Sequence, residues 1–237
     1  MEVGYTGDFP RTTYDGAPLN LVGRRRAGLP RGDCVSNSIK DFKKNVIYNI
    51  VVNMPNRKKM IDIGCGNGRH SFILSSYFDE VLAIDVHAEW GVIHNKPWFF
   101  DEIPPENTKK ITFVCRDFLF PGENDELYKD KFDLIFFWGS FYMMQDWEAA
   151  LKKCYQILSE SGIIIIGDAL GKRNDGSTPS DIEGRFGDHH WDGCISSANY
   201  NLGDLIERAN LEEVAEYIFD YRVTVLRKKD ESYSSSI

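Results

Sequence analysis

The sequence predicts an α/β fold: a seven-stranded, mostly parallel open sheet with helices on both faces and a C-terminal antiparallel hairpin. Three observations predict it. Five short apolar runs, at 59–63, 80–85, 111–115, 132–137 and 163–168, alternate with segments of helical period. The first run breaks into Gly64, Gly66 and Gly68 before a helical pattern resumes, which reads as strand, turn, helix. Near the end, Glu213–Phe219 and Arg222–Arg227 are β-rich runs separated only by Asp220-Tyr221, the spacing of a hairpin.

Taken in order, residues 1–35 are rich in Gly, Pro, Arg and Asp and lack a sustained period, so they read as an irregular arm or lid carrying Arg24-Arg25-Arg26. Residues 36–230 form the main domain. Ile39, Phe42, Val46, Ile50 and Val51 recur at helical intervals after a capping Ser36 or Asn37, and Pro55-Asn56 ends that helix. Lys59–Ile63 is the first strand, and Phe72, Ile73, Leu74 and Tyr77 continue a helix to Phe78. Glu80–Asp85 is a second buried strand ending on an acid. Residues 86–110 mix Trp90, Trp98, Phe99 and Phe100 with Asn, Pro and His and read as a partial helix and loop, with Pro104-Pro105 expected to forbid a helix at that point. Ile111–Cys115 and Phe132–Phe137 follow as strands, Asp146–Leu158 as a helix, and Ser161-Gly162 as the turn into the strand Ile163–Asp168. Residues 171–200 form a Gly-, Ser- and Asp-rich insertion too long for a plain connection and too aromatic, at Phe186–Asp192, for a linker. A helix at Leu202–Asn210 precedes the hairpin, and residues 231–237 read as a frayed tail.

Composition narrows the function. The 237 residues suit one domain with additions, and a hydrophobic content of 42% supplies one sizeable core. A formal charge of -8 disfavours broad binding to nucleic acid. Cysteines at 34, 65, 115, 154 and 194 form no Cys-x-x-Cys pair, which suggests reduced thiols in a cytoplasmic setting. The N-terminal residues lack a basic segment followed by an apolar one, and no apolar run approaches membrane-spanning length, so no membrane is expected.

The glycine turn is a ligand cradle, because glycine admits positive φ and leaves room for a ligand to approach the backbone. A plain turn with no ligand is the simpler alternative. A dinucleotide fingerprint needs glycine at 64, 66 and 69, but position 69 is Arg. Asp62-Ile63-Gly64-Cys65-Gly66-Asn67-Gly68 instead resembles the first motif of the class I S-adenosylmethionine-dependent methyltransferases. Asp85 lies ~20 residues after the glycines, the position of an acid that accepts hydrogen bonds from ribose hydroxyls, with Val86 beside it. The resemblance implies a Rossmann-like sheet with S-adenosylmethionine as cofactor. It also implies that Asp117 accepts from the adenine amino group while Phe118 packs on the ring, and that Trp138-Gly139 lies where the methyl group is presented. The arm and the 171–200 insertion fall outside the resemblance, where such proteins carry substrate recognition.

Methyl transfer needs alignment and a water-poor site more than acid–base chemistry. For an acceptor that must lose a proton, His189 and His190 are candidate bases by residue type; closing a lid or binding solvent is the plainer role. Tyr14, Tyr142 and Trp191 are candidate acceptor-binding residues, and no metal is expected, since Asp188-His189-His190-Asp192 lacks a known ligand spacing. The expected function is methyl transfer to an O or N atom of a small molecule. The alternatives are an RNA or protein acceptor reached through the basic arm, and a non-catalytic cofactor-binding protein. The segment after the fourth strand lacks the Asn/Asp-Pro-Pro-Tyr/Phe pattern of nucleobase-modifying enzymes. Isothermal calorimetry is expected to show binding of S-adenosylhomocysteine in preference to NAD; binding of NAD alone would contradict the reading of position 69.

Overall fold

The structure, a computed structural model, describes residues 46–66, 68–86, 104–119, 126–141, 144, 146–169, 202–218 and 221–229. The arm, residues 36–45, the 171–200 insertion and the tail lie outside these described residues.

Helix α1 (Val46–Val52) precedes β1 (Lys59–Ile63), α2 (Arg69–Leu74) and β2 (Glu80–Asp85). A single turn, α3 (Pro105–Thr108), leads into β3 (Ile111–Cys115), and a 3-10 turn at Glu126–Tyr128 into β4 (Phe132–Trp138). The chain then runs through α4 (Trp147–Ile157), β5 (Leu158–Ala169), α5 (Leu202–Arg208), β6 (Leu211–Ile218) and β7 (Tyr221–Lys228). The strands form one sheet in the order β3-β2-β1-β4-β5-β7-β6. β1 to β5 are parallel, and β7 inserts antiparallel between β5 and β6. The order reverses direction between β1 and β4, which opens a crevice at the carboxyl ends of those strands, where open α/β sheets bind ligands.

Alternate residues of each central strand supply two cores. Met60, Leu134, Phe136, Ile163 and Ile165 pack against α1 and α2 on one face. Ile61, Ile63, Ile135, Phe137, Ile164 and Ile166 pack against α4 and α5 on the other. A strand buried on both faces has no polar alternation, which is why β4 and β5 read as continuous apolar runs. Asp146 caps α4 as its sequence position implies, accepting a hydrogen bond from the Ala149 N–H at 2.9 Å. Among the described residues no helix is long and apolar enough to cross a membrane.

Three local expectations change. Pro104-Pro105 does not exclude a helix: Pro105 occupies its first turn, where a missing N–H costs nothing. The helix after the glycine turn ends at Leu74 rather than Phe78, and the chain continues in tighter turns, with Tyr77 N–H donating to Leu74 O at 2.8 Å. β5 begins at Leu158, and Ser161-Gly162 belongs to an excursion within it. Phe132 pairs with Leu158 and Leu134 with Ile163, so residues 159–162 stand opposite Asp133 alone.

Asp133 holds that excursion in place. Its buried carboxylate accepts from Lys58 N–H at 2.8 Å and from the Ser159 hydroxyl at 3.0 Å, tying the amino ends of β1, β4 and β5 together. Replacing Asp133 with Ala leaves the Lys58 amide unsatisfied at a partly buried position. Urea denaturation is expected to show a loss of about 1–3 kcal/mol.

Candidate active site

The glycine turn that joins β1 to α2 lies at the crevice. Gly64 has φ 73°, and a Cβ added there would lie 2.3 Å from Ser140 Cβ, so only glycine allows β1 and the end of β4 to meet. The Ser140 hydroxyl donates to Ile63 O at 2.5 Å, and the amides of Gly64 and Cys65 donate to Ile84 O at 2.8 and 3.1 Å. Gly68 N–H donates to Cys65 O at 2.8 Å and closes the turn ahead of α2. On the far side of β4, Gly139 N–H donates to Gly167 O at 2.7 Å. The first turn and the ends of β2, β4 and β5 are therefore bonded into one edge.

Asp85, at the end of β2, is partly exposed and accepts the Gly66 N–H at 2.8 Å through Oδ2. The predicted ribose acid thus lies directly against the predicted cradle. Val86 follows with 53% of its surface exposed, the exposed large hydrophobic residue among those described. Asp117 is partly buried and caps the Leu119 N–H at 2.8 Å. Phe118 differs from its expected place on a ligand ring. Only 3% of its surface is exposed, and its ring packs edge-on against Tyr128 and Phe137 in the core, with Lys153 above it. The apolar surface that the crevice offers beside Asp85 is Val86 instead.

Asp62 is almost fully buried behind the turn, where it accepts the Ser71 hydroxyl at 2.5 Å. Burial pushes its carboxyl up to about 7; the Ser71 hydrogen bond works against this and the nearby Asp85 charge adds to it. Burial raises the Cys65 thiol above its ordinary range, and Asp62 and Asp85 act in the same direction. His70 lies edge-on to Phe136 and Trp138 at 5.6 and 5.7 Å, and enclosure of its imidazole, followed by the Arg69 charge, lowers it to about 3. It is neutral at physiological pH. Ser71, Ser140 and His70 escape a reading of the sequence because their partners are distant along the chain. Asn67, Tyr14, Tyr142, His189, His190 and Trp191 lie outside the described residues.

The residues present fit an adenosyl cofactor on their own geometry. Among the described residues an added Cβ at Gly66 or Gly139 would meet nothing within 4 Å, so these residues leave space beside the cradle on both sides. Next to that space stand a carboxylate suited to ribose and an exposed apolar surface suited to a base. Among the described residues no group of three or more His, Cys, Asp or Glu side chains is placed to hold a metal ion.

A glycine turn and a strand-end acid at the switch point of an open parallel sheet define a nucleotide-cofactor-binding α/β domain. A family model described as a methyltransferase domain matches residues 43–215, well over half of the chain. The chain belongs to that family and is a class I S-adenosylmethionine-dependent methyltransferase, with S-adenosylmethionine as its cofactor. No curated protein matches it. Among solved structures it is similar to an S-adenosylmethionine-dependent methyltransferase from Clostridium acetobutylicum (14% identity, TM-score 0.51, 78% of this chain and 89% of the other). It is similar to an Aquifex aeolicus methyltransferase (16% identity, TM-score 0.52, 76% and 87%). It also resembles NcsB1, an O-methyltransferase of neocarzinostatin biosynthesis solved with S-adenosylhomocysteine and 1,4-dihydroxy-2-naphthoic acid (14% identity, TM-score 0.50, 72% and 49%). At these identities the likeness is one of fold.

The raised Asp62 carboxyl has a consequence for stability. The unfolded chain releases this proton near pH 4 and the folded one near 7, so the contribution falls as pH rises through that window and is constant above it. Asp62→Asn keeps a neutral acceptor for Ser71 and removes the titration. In urea denaturation the stability of the Asn variant relative to wild type is expected to rise between about pH 4 and pH 7, then level off.

Proposed function

We propose that the protein transfers the methyl group to an oxygen or nitrogen atom of a small molecule. The observation that supports the reading is the Gly66–Asp85–Val86 arrangement, which suits an adenosyl group and has space beside it among the described residues. The formal charge of -8 supports a small acceptor over a polyanion, whose phosphates attract basic surfaces.

In this reading Asp85 accepts hydrogen bonds from the ribose hydroxyls. Asp117 takes the adenine amino group, and Val86 packs against the base with Phe118 supporting from the core. The backbone of Gly64, Cys65, Gly66 and Gly68 follows the amino-acid end, with Asp62 behind it, while Trp138 and Gly139 flank the methyl side. When bound, the cofactor supplies an electrophilic methyl group; the chain's own task is to orient the acceptor and keep water out. For an acceptor that must lose a proton, His189 or His190 is the base. Tyr14, Tyr142 and Trp191 contact the acceptor. The setting is the cytoplasm, in keeping with free thiols at Cys65, Cys115 and Cys154.

Asp85→Ala removes a charged acceptor, worth about 1.5–3 kcal/mol, so S-adenosylhomocysteine is expected to bind roughly 10- to 100-fold more weakly in calorimetry. With methyl-labelled S-adenosylmethionine and a cell extract, the label is expected in the low-mass fraction. Label confined to RNA or protein would overturn the acceptor class, and unchanged affinity in Asp85→Ala would overturn the assignment of the ribose acid.

A further inference from the structure

We propose that the indole of Trp138 is the specificity wall of the acceptor site, selecting a planar ring as the molecule that receives the methyl group. This deepens the small-molecule reading above and rests on it. Trp138 is the last residue of β4, two positions before the Ser140 that meets the glycine turn. It therefore stands at the rim of the crevice, on the face that α1 and α2 cover.

The indole lies flat on the sheet edge. Trp138 pairs with Gly167 of β5, and a Cβ at Gly167 would fall 2.1 Å from Trp138 Cε3 and 2.2 Å from Cζ3. Any other residue at 167 would lift the ring off the strand. Phe136, one pleat below, is parallel to the indole within 7° at 6.0 Å between centroids, and is itself fully buried. His70 meets the indole edge-on at 74°. The glycine and the two rings fix the plane of the indole, while Trp138 itself keeps part of its surface exposed at the rim.

A fixed, partly exposed aromatic plane beside the methyl side favours an occupant that stacks. Offset stacking on a ring adds about 0.5–1.5 kcal/mol beyond the area buried, and a saturated ring of similar size gains only the area.

The test uses the full chain saturated with S-adenosylhomocysteine and two probes with the same carbon skeleton and hydroxyl, planar 2-naphthol and puckered decahydro-2-naphthol. Calorimetry is expected to show 2-naphthol binding roughly three- to tenfold tighter. Trp138→Phe is expected to keep part of that preference, and Trp138→Leu to abolish it. Equal binding of the two probes, or a preference that survives in Trp138→Leu, overturns the proposal. A Trp138→Leu variant that keeps its melting temperature but no longer binds S-adenosylhomocysteine also overturns it, by making the indole part of the cofactor site. Wild-type protein that fails to bind S-adenosylhomocysteine overturns the cofactor site and this inference with it. Wild-type protein that binds it but shows no probe preference overturns the wall alone.

Discussion

The contact on which the site depends is the approach of β1 to the end of β4. Two parallel strands that diverge in connectivity at this point are held together at their carboxyl ends by the Ser140 hydroxyl on Ile63 O, 2.5 Å away. The absence of a side chain at Gly64 lets Ser140 pack onto the turn. From that junction one bond set runs to β2 through Ile84 O and another to β5 through Gly167 O. The crevice is thus the place where four parallel strand ends are brought level, and the residues following each strand are presented together. A methyl donor and its acceptor need such an arrangement, since misplacement by about 1 Å can cost 10²-fold in rate.

Two buried carboxyl groups organise the opposite ends of β1 in different ways. Asp133 sits at the amino edge, where backbone amides and a serine hydroxyl satisfy it and tie three strands together. Asp62 sits behind the glycine turn with Ser71, and burial favours its protonated form near neutrality. The cradle is therefore backed by a group whose charge depends on what approaches it. Asp85, partly exposed in front of the turn, carries the accessible negative charge next to the Gly66 amide.

The aromatic residues near the crevice divide by the face their strand position gives them. Phe118 follows β3 and turns into the core beneath α4, packing edge-on against Tyr128 and Phe137. Trp138 ends β4 on the other face and stays at the rim. Both are aromatic residues just beyond a strand, and the sequence places both at the ligand. Their separation comes from sheet pleat and neighbouring helices, which a linear reading does not contain.

By itself the sequence determined the local grammar of this protein. Apolar runs of strand length, the glycines at 64, 66 and 68, an acid ending β2 and a closing hairpin were enough for the seven-stranded sheet and its antiparallel end, while the methyl-donor class came from the resemblance of the glycine motif to a known family. Those features are short-range consequences of backbone geometry and residue chemistry, so they can be read along the chain. Tertiary structure decided what depends on neighbours from elsewhere. It buried Asp62 against Ser71, joined Ser140 to Ile63 and laid Trp138 on Gly167; it also accommodated Pro105 at a helix start and turned residues 159–162 into an excursion around Asp133. Each outcome is fixed by packing and desolvation, and these act on distances in space rather than on spacing in sequence.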